Sequence, residues 1–236
     1  MDVDRIVDTA LRLIDEVGVK TLSLRMLADA LESGTATLYR HLRSKEELLV
    51  LVADRILGDV RVPAEQMDGL SWREAATVAA DSFYASLRRH PHALPLLAAQ
   101  VHVGPNGLRV RERLIGLLLS HGFPAGLAGR TYTALGHYVI GLAIQQHGPG
   151  TPRPDDQVHL RAYYHSLDRA AYPATSAAAD DLTSVPLYEE FRFGLDLLLD
   201  GLEQARRALP EGSGGLAGTE PGGSLEGVRP GSVRDD

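Results

Sequence analysis

The chain has 236 residues and no cysteine, which excludes disulfides and thiolate chemistry. No stretch approaches the roughly 18 uninterrupted apolar residues of a membrane helix. The N-terminus is acidic at Asp2 and Asp4, unlike a signal peptide, so a soluble cytoplasmic protein without membrane contact is expected. An excess of positive charge is lacking too. The formal net charge is −7, and the first 60 residues hold 8 Lys and Arg against 11 Asp and Glu, which argues against a nonspecific coating of nucleic acid. Asp81, His102, His137 and Asp196 form no nucleophile–base pair, phosphate loop or metal-ligand spacing. No catalytic residue, bound metal or cofactor is expected.

What the chain does have is a segment from Thr21 to Leu49 that reads as two short helices joined by a tight turn. Ser23 is a good N-cap, and Met26, Leu27, Ala30 and Leu31 recur three and four residues apart, so a helix is expected from about Ser23 to Leu31. After Glu32, Ser33 and Gly34, a second helix of about two turns runs from Thr35 to His41 and packs through Leu38 and Leu42. Its outer face is small and polar. A helix-turn-helix lays its second helix in the major groove, where a methyl such as that of Ala36 or Thr37 meets a thymine methyl and hydroxyls reach bases or phosphates. Tyr39 and His41 suit phosphates. Lys45, just after the N-cap Ser44, places an ammonium beside free helix amides, a combination that holds a backbone phosphate. Gly34 to Lys45 contains Arg40, Arg43 and Lys45 and no acid, so one small basic edge stands on an acidic protein and specific contacts must carry the affinity.

Residues Asp4 to Leu57 resemble the DNA-binding domain of the TetR family of bacterial transcriptional regulators. The likeness runs through the first helix (Ile6, Val7, Ala10, Leu11, Ile14, Val17), the EVG turn at Glu16 to Gly18, TLSLRMLADAL, TLYRHL and SKEELL. It implies that Arg25 reaches a base from the second helix, that Thr35, Ala36 and Thr37 face bases, and that Tyr39, His41 and Lys45 contact the backbone. The turn departs from the pattern: the family has glycine, an apolar residue and a serine-like cap where this chain has Glu32, Ser33 and Gly34. A missing glycine costs about 1 kcal/mol where φ is positive.

At 44% hydrophobic residues the chain can bury a second core. An all-α protein is expected, with a helix-turn-helix domain over 1–60, a helical ligand-binding and dimerisation domain over 61–209, and a disordered tail over 210–236, where 8 of 27 residues are glycine. After a linker around Arg61 to Leu70, helices are expected from Ser71 to Arg89, Ala93 to Val101, Leu108 to His121, Pro124 to Gln146 and Leu187 to Leu209. Asp155 to Ala171 is ambiguous, Pro173 to Ser184 reads as a loop, and His90 and His92 read as solvated. The last helix is apolar on more than one side, with Phe193 and Leu197 outside the stripe of Phe191, Leu195, Leu198, Leu199 and Leu202. Paired with the long helix before it, it predicts a homodimer through a four-helix bundle, which sets two recognition helices about 34 to 36 Å or a multiple apart on a pseudo-palindromic operator.

In the second domain AQVHVGP, HGF, ALGHYVIG and FGLDLLLDGLE, with GLSW and SF near its start, resemble the tetracycline repressor subgroup. The resemblance implies that His102 matches a magnesium-ligating histidine and Phe83 an aromatic wall. It also puts Val60, Ala79, Leu114 and Gln145 where that subgroup has polar drug or metal anchors, so a different effector is implied. The expected pocket is apolar, drawn from Val60, Trp72, Phe83, Leu87, His102, Leu114, Leu118, Tyr132 and Gln145, and suits a small hydrophobic effector. The same residues also read as a filled core. The helix from Lys45 to about Val60 links the two parts, so an effector that displaces its far end pivots the DNA-reading heads and releases the operator. A ligand-independent DNA-binding dimer and a transcriptional activator are the alternatives.

Overall fold

Serine caps start three of the long-range framework helices where the sequence places them. Ser23 Oγ accepts from Met26 N–H at 3.2 Å, Ser44 Oγ from Glu47 N–H at 3.2 Å, and Ser71 forms a reciprocal capping box with Glu74. The computed structural model describes residues 2–60, 69–99, 103–147 and 154–208. Every regular element among them is helical. The order is α1 (Val3–Val17), α2 (Leu24–Ala30), α3 (Thr35–Leu38), α4 (Lys45–Leu57), α5 (Trp72–Arg89), a 3₁₀ turn (Pro91–Ala93), α6 (Leu94–Ala99) and α7 (Pro105–Ser120). Then follow α8 (Ala125–His147), α9 (Pro154–Ser166), α10 (Pro173–Ala177), α11 (Asp181–Ser184) and α12 (Leu187–Arg207). The tail from Pro210, residues 61–68 of the linker, and His102 lie outside the described residues.

The first three helices pack on the start of α4 through Ile6, Ala10, Ile14, Leu27, Leu38 and Leu48, all fully buried. Leu13 joins them, whereas Val17 at the end of α1 is exposed. In the second layer α5 and α8 lie along each other, with α7 and α12 packed against α8. Ala128, Thr131, Leu135, Val139, Ala143 and Gln146 form the buried stripe of α8 at helical spacing. Phe191, Leu195 and Leu199 of α12 meet this layer, and Tyr84 stacks on Phe191 at 4.3 Å between ring centroids.

Four expectations need correction. The helix after Val103 starts one turn early, because Gly104 is its N-cap and Pro105 occupies N1, where a missing N–H costs nothing. The ambiguous stretch forms α9, and the supposed loop from Pro173 to Ser184 contains α10 and α11, the first again opened by a proline at N1. Regular helix ends at Leu38 rather than His41. Beyond it the chain tightens into 3₁₀-type turns, Arg40 N–H to Thr37 O at 3.3 Å and His41 N–H to Leu38 O at 2.9 Å. His90 is not solvated: its Nδ1 lies 2.9 Å from Asp15 Oδ2, and His92 Nδ1 lies 2.7 Å from the Asp15 carbonyl, so both tie the 3₁₀ turn to α1.

Candidate functional site

The α2–α3 turn is a Schellman motif. Ser33 N–H bonds Ala28 O at 2.9 Å and Glu32 N–H bonds Asp29 O at 3.1 Å, which closes the orphan carbonyls of α2. That geometry requires a left-handed residue at the turn, and Glu32 supplies it with φ of 52°. It is the one non-glycine residue with positive φ among those described. The next position normally plugs the motif with an apolar contact; here Ser33 buries a hydroxyl oxygen that has no hydrogen-bond partner. The turn thus forms its two Schellman hydrogen bonds without the two residue types that favour it.

On the outer surface of this unit Arg25, Thr35, Ala36 and Tyr39 are exposed, and Thr37 and His41 are half-buried. Leu38 and Leu42 anchor the segment from below. The result is a small polar ridge with Arg40 and Arg43 exposed at its flank. The Lys45 ammonium sits at the first turn of α4 and donates to the Leu22 carbonyl. One of its three N–H groups is thereby used inside the protein, stitching α4 to the loop before α2.

A cavity of about 530 Å³ lies among α4, α5, α6, α7 and α8. Leu57 and Val60 close it from the end of α4, and Ala76, Ala79, Ala80 and Phe83 wall it from α5. From α7 come Gly107, Val110, Arg111 and Leu114, and from α8 Tyr132, Thr133, Gly136, His137, Ile140 and others. Small side chains leave the space: a Cβ placed on Gly136 or Gly141 meets nothing within 4 Å. Of the residues singled out in the sequence, Val60, Phe83, Leu114 and Tyr132 come together here, with Ala79 beside them. Trp72, Leu87 and Leu118 do not. Trp72 packs edge-on against Phe123, ring centroids 5.0 Å apart, and Leu87 and Leu118 are wholly buried in the solid core. Gln145 lines a separate, more polar cavity of about 440 Å³ between α8 and the start of α12. Next to it Gln146 is fully engaged, accepting from Tyr84 Oη and donating to Leu187 O at 3.0 Å and Glu190 Oε2 at 2.9 Å. Burial pushes the Tyr84 phenol above its ordinary pKa, so this group stays a neutral donor.

The two halves are joined by a polar clasp. Asp54 of α4 is 8% exposed, and its carboxylate accepts from Gly107 N–H at 2.9 Å and Asn106 N–H at 3.2 Å. It therefore caps α7 across the interface, with its charge at the positive end of that helix. Asn106 Nδ2 returns a bond to the Asp54 carbonyl at 3.1 Å. Gly104 makes room: a Cβ there would stand 2.3 Å from Asp54 Cγ. Nearby, Ser86 Oγ donates to Ile56 O at 3.0 Å and Arg89 reaches Asp59 at 3.2 Å.

Residues 6–52 match the family model for bacterial regulatory proteins of the tetR family, and residues 62–206 match the tetracyclin repressor-like C-terminal domain. The chain belongs to the TetR family. This TetR-family regulator is 31% identical over 211 residues to the HTH-type transcriptional repressor DrrR1 of Streptomyces coeruleorubidus, covering 86% of this chain and 77% of that protein. Tetracycline repressor class G of Vibrio anguillarum is 26% identical, over 89% of this chain and 97% of its own. Among solved structures, the Streptomyces coelicolor TetR family protein ActR in complex with actinorhodin superimposes with a TM-score of 0.79 at 32% identity, covering 87% of this chain and 98% of ActR. The expected class is thus established: a dimeric, operator-binding regulator with an effector-receiving helical domain, not an enzyme. No helix among the described residues is long and apolar enough to cross a membrane.

The sequence reading of this TetR-family regulator missed Arg111 and Asp54. Gly107, Val110, Arg111 and Leu114 stand at i, i+3, i+4 and i+7, so helical spacing does put Arg111 on the inward stripe. Its neighbours Arg109 and Arg113 hid that signal by making the run look uniformly solvated. Asp54 gave no local sign, since its partners lie more than fifty residues away.

Proposed function

We propose that this protein is a cytoplasmic repressor that holds a pseudo-palindromic operator in its ligand-free state and leaves it when a hydrophobic molecule fills the 530 Å³ cavity. Residues 1–60 serve as the DNA-reading head and 61–209 as the sensing and dimerising part. Thr35, Ala36 and Thr37 read bases with Arg25, while Tyr39, His41 and Lys45 hold phosphates. The reading is carried by one observation: Leu57 and Val60, at the far end of the helix that Lys45 begins, form part of the cavity wall. An occupant that moves α4 therefore moves the recognition helices, and a displacement of a few ångströms breaks register with two successive grooves. Effector and DNA then compete through their different affinities for two arrangements of the same dimer.

The dimer surface falls on α8 and α12. Phe193 is 68% and Leu197 58% exposed, on the side of α12 turned away from Phe191 and Leu195. Such apolar surface is what a symmetric four-helix interface covers. The effector is a bulky hydrophobic compound of the natural-product kind, as the ActR complex with actinorhodin illustrates for a similar protein. Selection of operator DNA from random oligonucleotides, followed by titration of the complex with actinorhodin and other polycyclic aromatics, tests the reading. Release of DNA on titration is expected in wild type and absent in Ala79→Phe, which fills the cavity. Tighter DNA binding on titration would remove the repressor sign, and release from the filled variant would remove the cavity.

A further inference from the structure

Asp15 stands in the last turn of α1, where two histidines from the other side of the junction grip it. His90 Nδ1 meets its carboxylate Oδ2 at 2.9 Å, and His92 Nδ1 meets its carbonyl at 2.7 Å. Carbonyl and carboxylate oxygens accept, so both rings present their N–H at Nδ1. The histidines flank Pro91 in the 3₁₀ turn, which runs without a break into α6: Ala93 N–H bonds His90 O at 3.0 Å, and Ala93, Leu94 and Leu97 are buried. Leu97 and Ala98 of α6 line the 530 Å³ cavity. One short stretch of helical chain therefore joins the cavity wall to the end of α1, and α1 leads into the recognition unit. Past Gly18 the chain reaches Leu22, whose carbonyl receives the Lys45 ammonium, and then Ser23, the N-cap of α2.

The grip is poised rather than welded. Asp15 Oδ1 is buried and has no hydrogen-bond partner among the described residues, so the carboxylate sits in the junction with one oxygen unsatisfied. That cost opposes the two histidine bonds and is relieved once water reaches the oxygen, which brings the closed and parted forms of the junction closer in free energy. We propose that the cavity acts on DNA by a second route besides α4: movement of the α6 wall passes through the 3₁₀ turn to α1, and His90 and His92 are positioning residues that set how strongly an occupant weakens the hold on the operator. The inference rests on the cavity being the effector site and divides the transmission between two helices of the head.

A cycle that needs no ligand tests the route. Operator affinity is measured by fluorescence anisotropy for the full-length wild type, Leu97→Val, the pair His90→Leu with His92→Ala, and all three changes together. Sites that act independently give effects that multiply. Trimming the wall at Leu97 is expected to change operator affinity about threefold or more in wild type and at most about 1.5-fold once the histidines are gone. No change in wild type, or the same factor in both backgrounds, overturns the route. The ratio of actinorhodin affinities for free and operator-bound protein then gives the coupling factor itself. It should fall about threefold or more in the histidine pair while the free protein's affinity for actinorhodin stays within about twofold. His90→Asn keeps a donor where Nδ1 stands and should hold the factor near that of wild type. A contact that is only a staple would lower the unfolding midpoint and leave the factor unchanged, which overturns the proposal, as does a loss in His90→Asn as large as in His90→Leu. Should actinorhodin leave the wild type on its operator, the effector reading fails for that compound, and the ligand-free cycle still decides the route.

Discussion

Removing the Asp54 carboxylate tests whether the clasp between α4 and α7 holds the two halves together. Asp54→Ala takes the acceptor away from two main-chain N–H groups, one on the buried Gly107 and one on the half-buried Asn106. Loss of a helix cap costs about 0.5–2 kcal/mol, and a buried donor left unpaired about 1–3 kcal/mol. With one donor fully buried and one partly so, the expected destabilisation is about 2–3 kcal/mol. Gly104→Ala reaches the same clasp from the other side. Its new Cβ would lie 2.3 Å from Asp54 Cγ and 2.4 Å from Oδ1, so the carboxylate must leave its donors, at a similar cost of about 2 kcal/mol. In the double variant both of those overlaps vanish, leaving Asp54 Cβ at 2.8 Å as the one close atom. The two losses should therefore fall short of additive by about 1–2 kcal/mol. Urea unfolding followed by helical circular dichroism, at a fixed protomer concentration, reads all four corners of the cycle. A cost below about 0.5 kcal/mol for Asp54→Ala, or simple additivity, would show that the clasp is solvated and bears no load.

Glu32→Gly should stabilise the protein by about 0.5–1 kcal/mol, because glycine adopts the φ of 52° without the Cβ strain that glutamate carries. A rise of about 2 °C in the melting temperature is the corresponding readout, and a fall would refute the strain argument. Phe193→Glu, on the exposed side of α12, should yield monomers in light scattering and abolish cooperative operator binding; a dimer of unchanged affinity places the interface elsewhere. Near the end of α12, Arg206 and then Arg207 hold the Glu203 carboxyl at a pKa of about 2, below its usual 4.5. Its contribution is therefore fully present above about pH 5 and lost as the pH falls towards 2. The stability difference between wild type and Glu203→Gln should close over that window, and a gap that persists at pH 2 would contradict the pairing.

The N-terminal unit was legible because its determinants are local. Ser23 and Ser44 announce their helices, Leu38 and Leu42 point inward by spacing alone, and the absent turn glycine marked the position that proves to need positive φ. Locating the cavity was harder. Trp72, Leu87 and Leu118 share the inward periodicity of Phe83 and Leu114, and periodicity says which way a side chain faces, not whether another side chain fills the space beyond. Space is made by what is small: Ala76, Ala79 and Ala80 on one helix with Gly136 and Gly141 on another. A search for large apolar residues passes over them. The clasp was illegible for a different reason, since Asp54 caps a helix that begins fifty residues later, and only the fold brings them together.

Gly107 belongs at once to the cavity wall and to the clasp, where its N–H is held by Asp54. Whatever free energy an occupant transmits through that peptide unit to weaken the hold on DNA, the operator must transmit back to weaken the hold on the occupant, by the same factor. Effector affinity measured on the isolated protein is thus an upper bound for the DNA-bound form. In a cell holding few operators and many copies of the regulator, molecules off the DNA fill first, and derepression waits until that reservoir is sated.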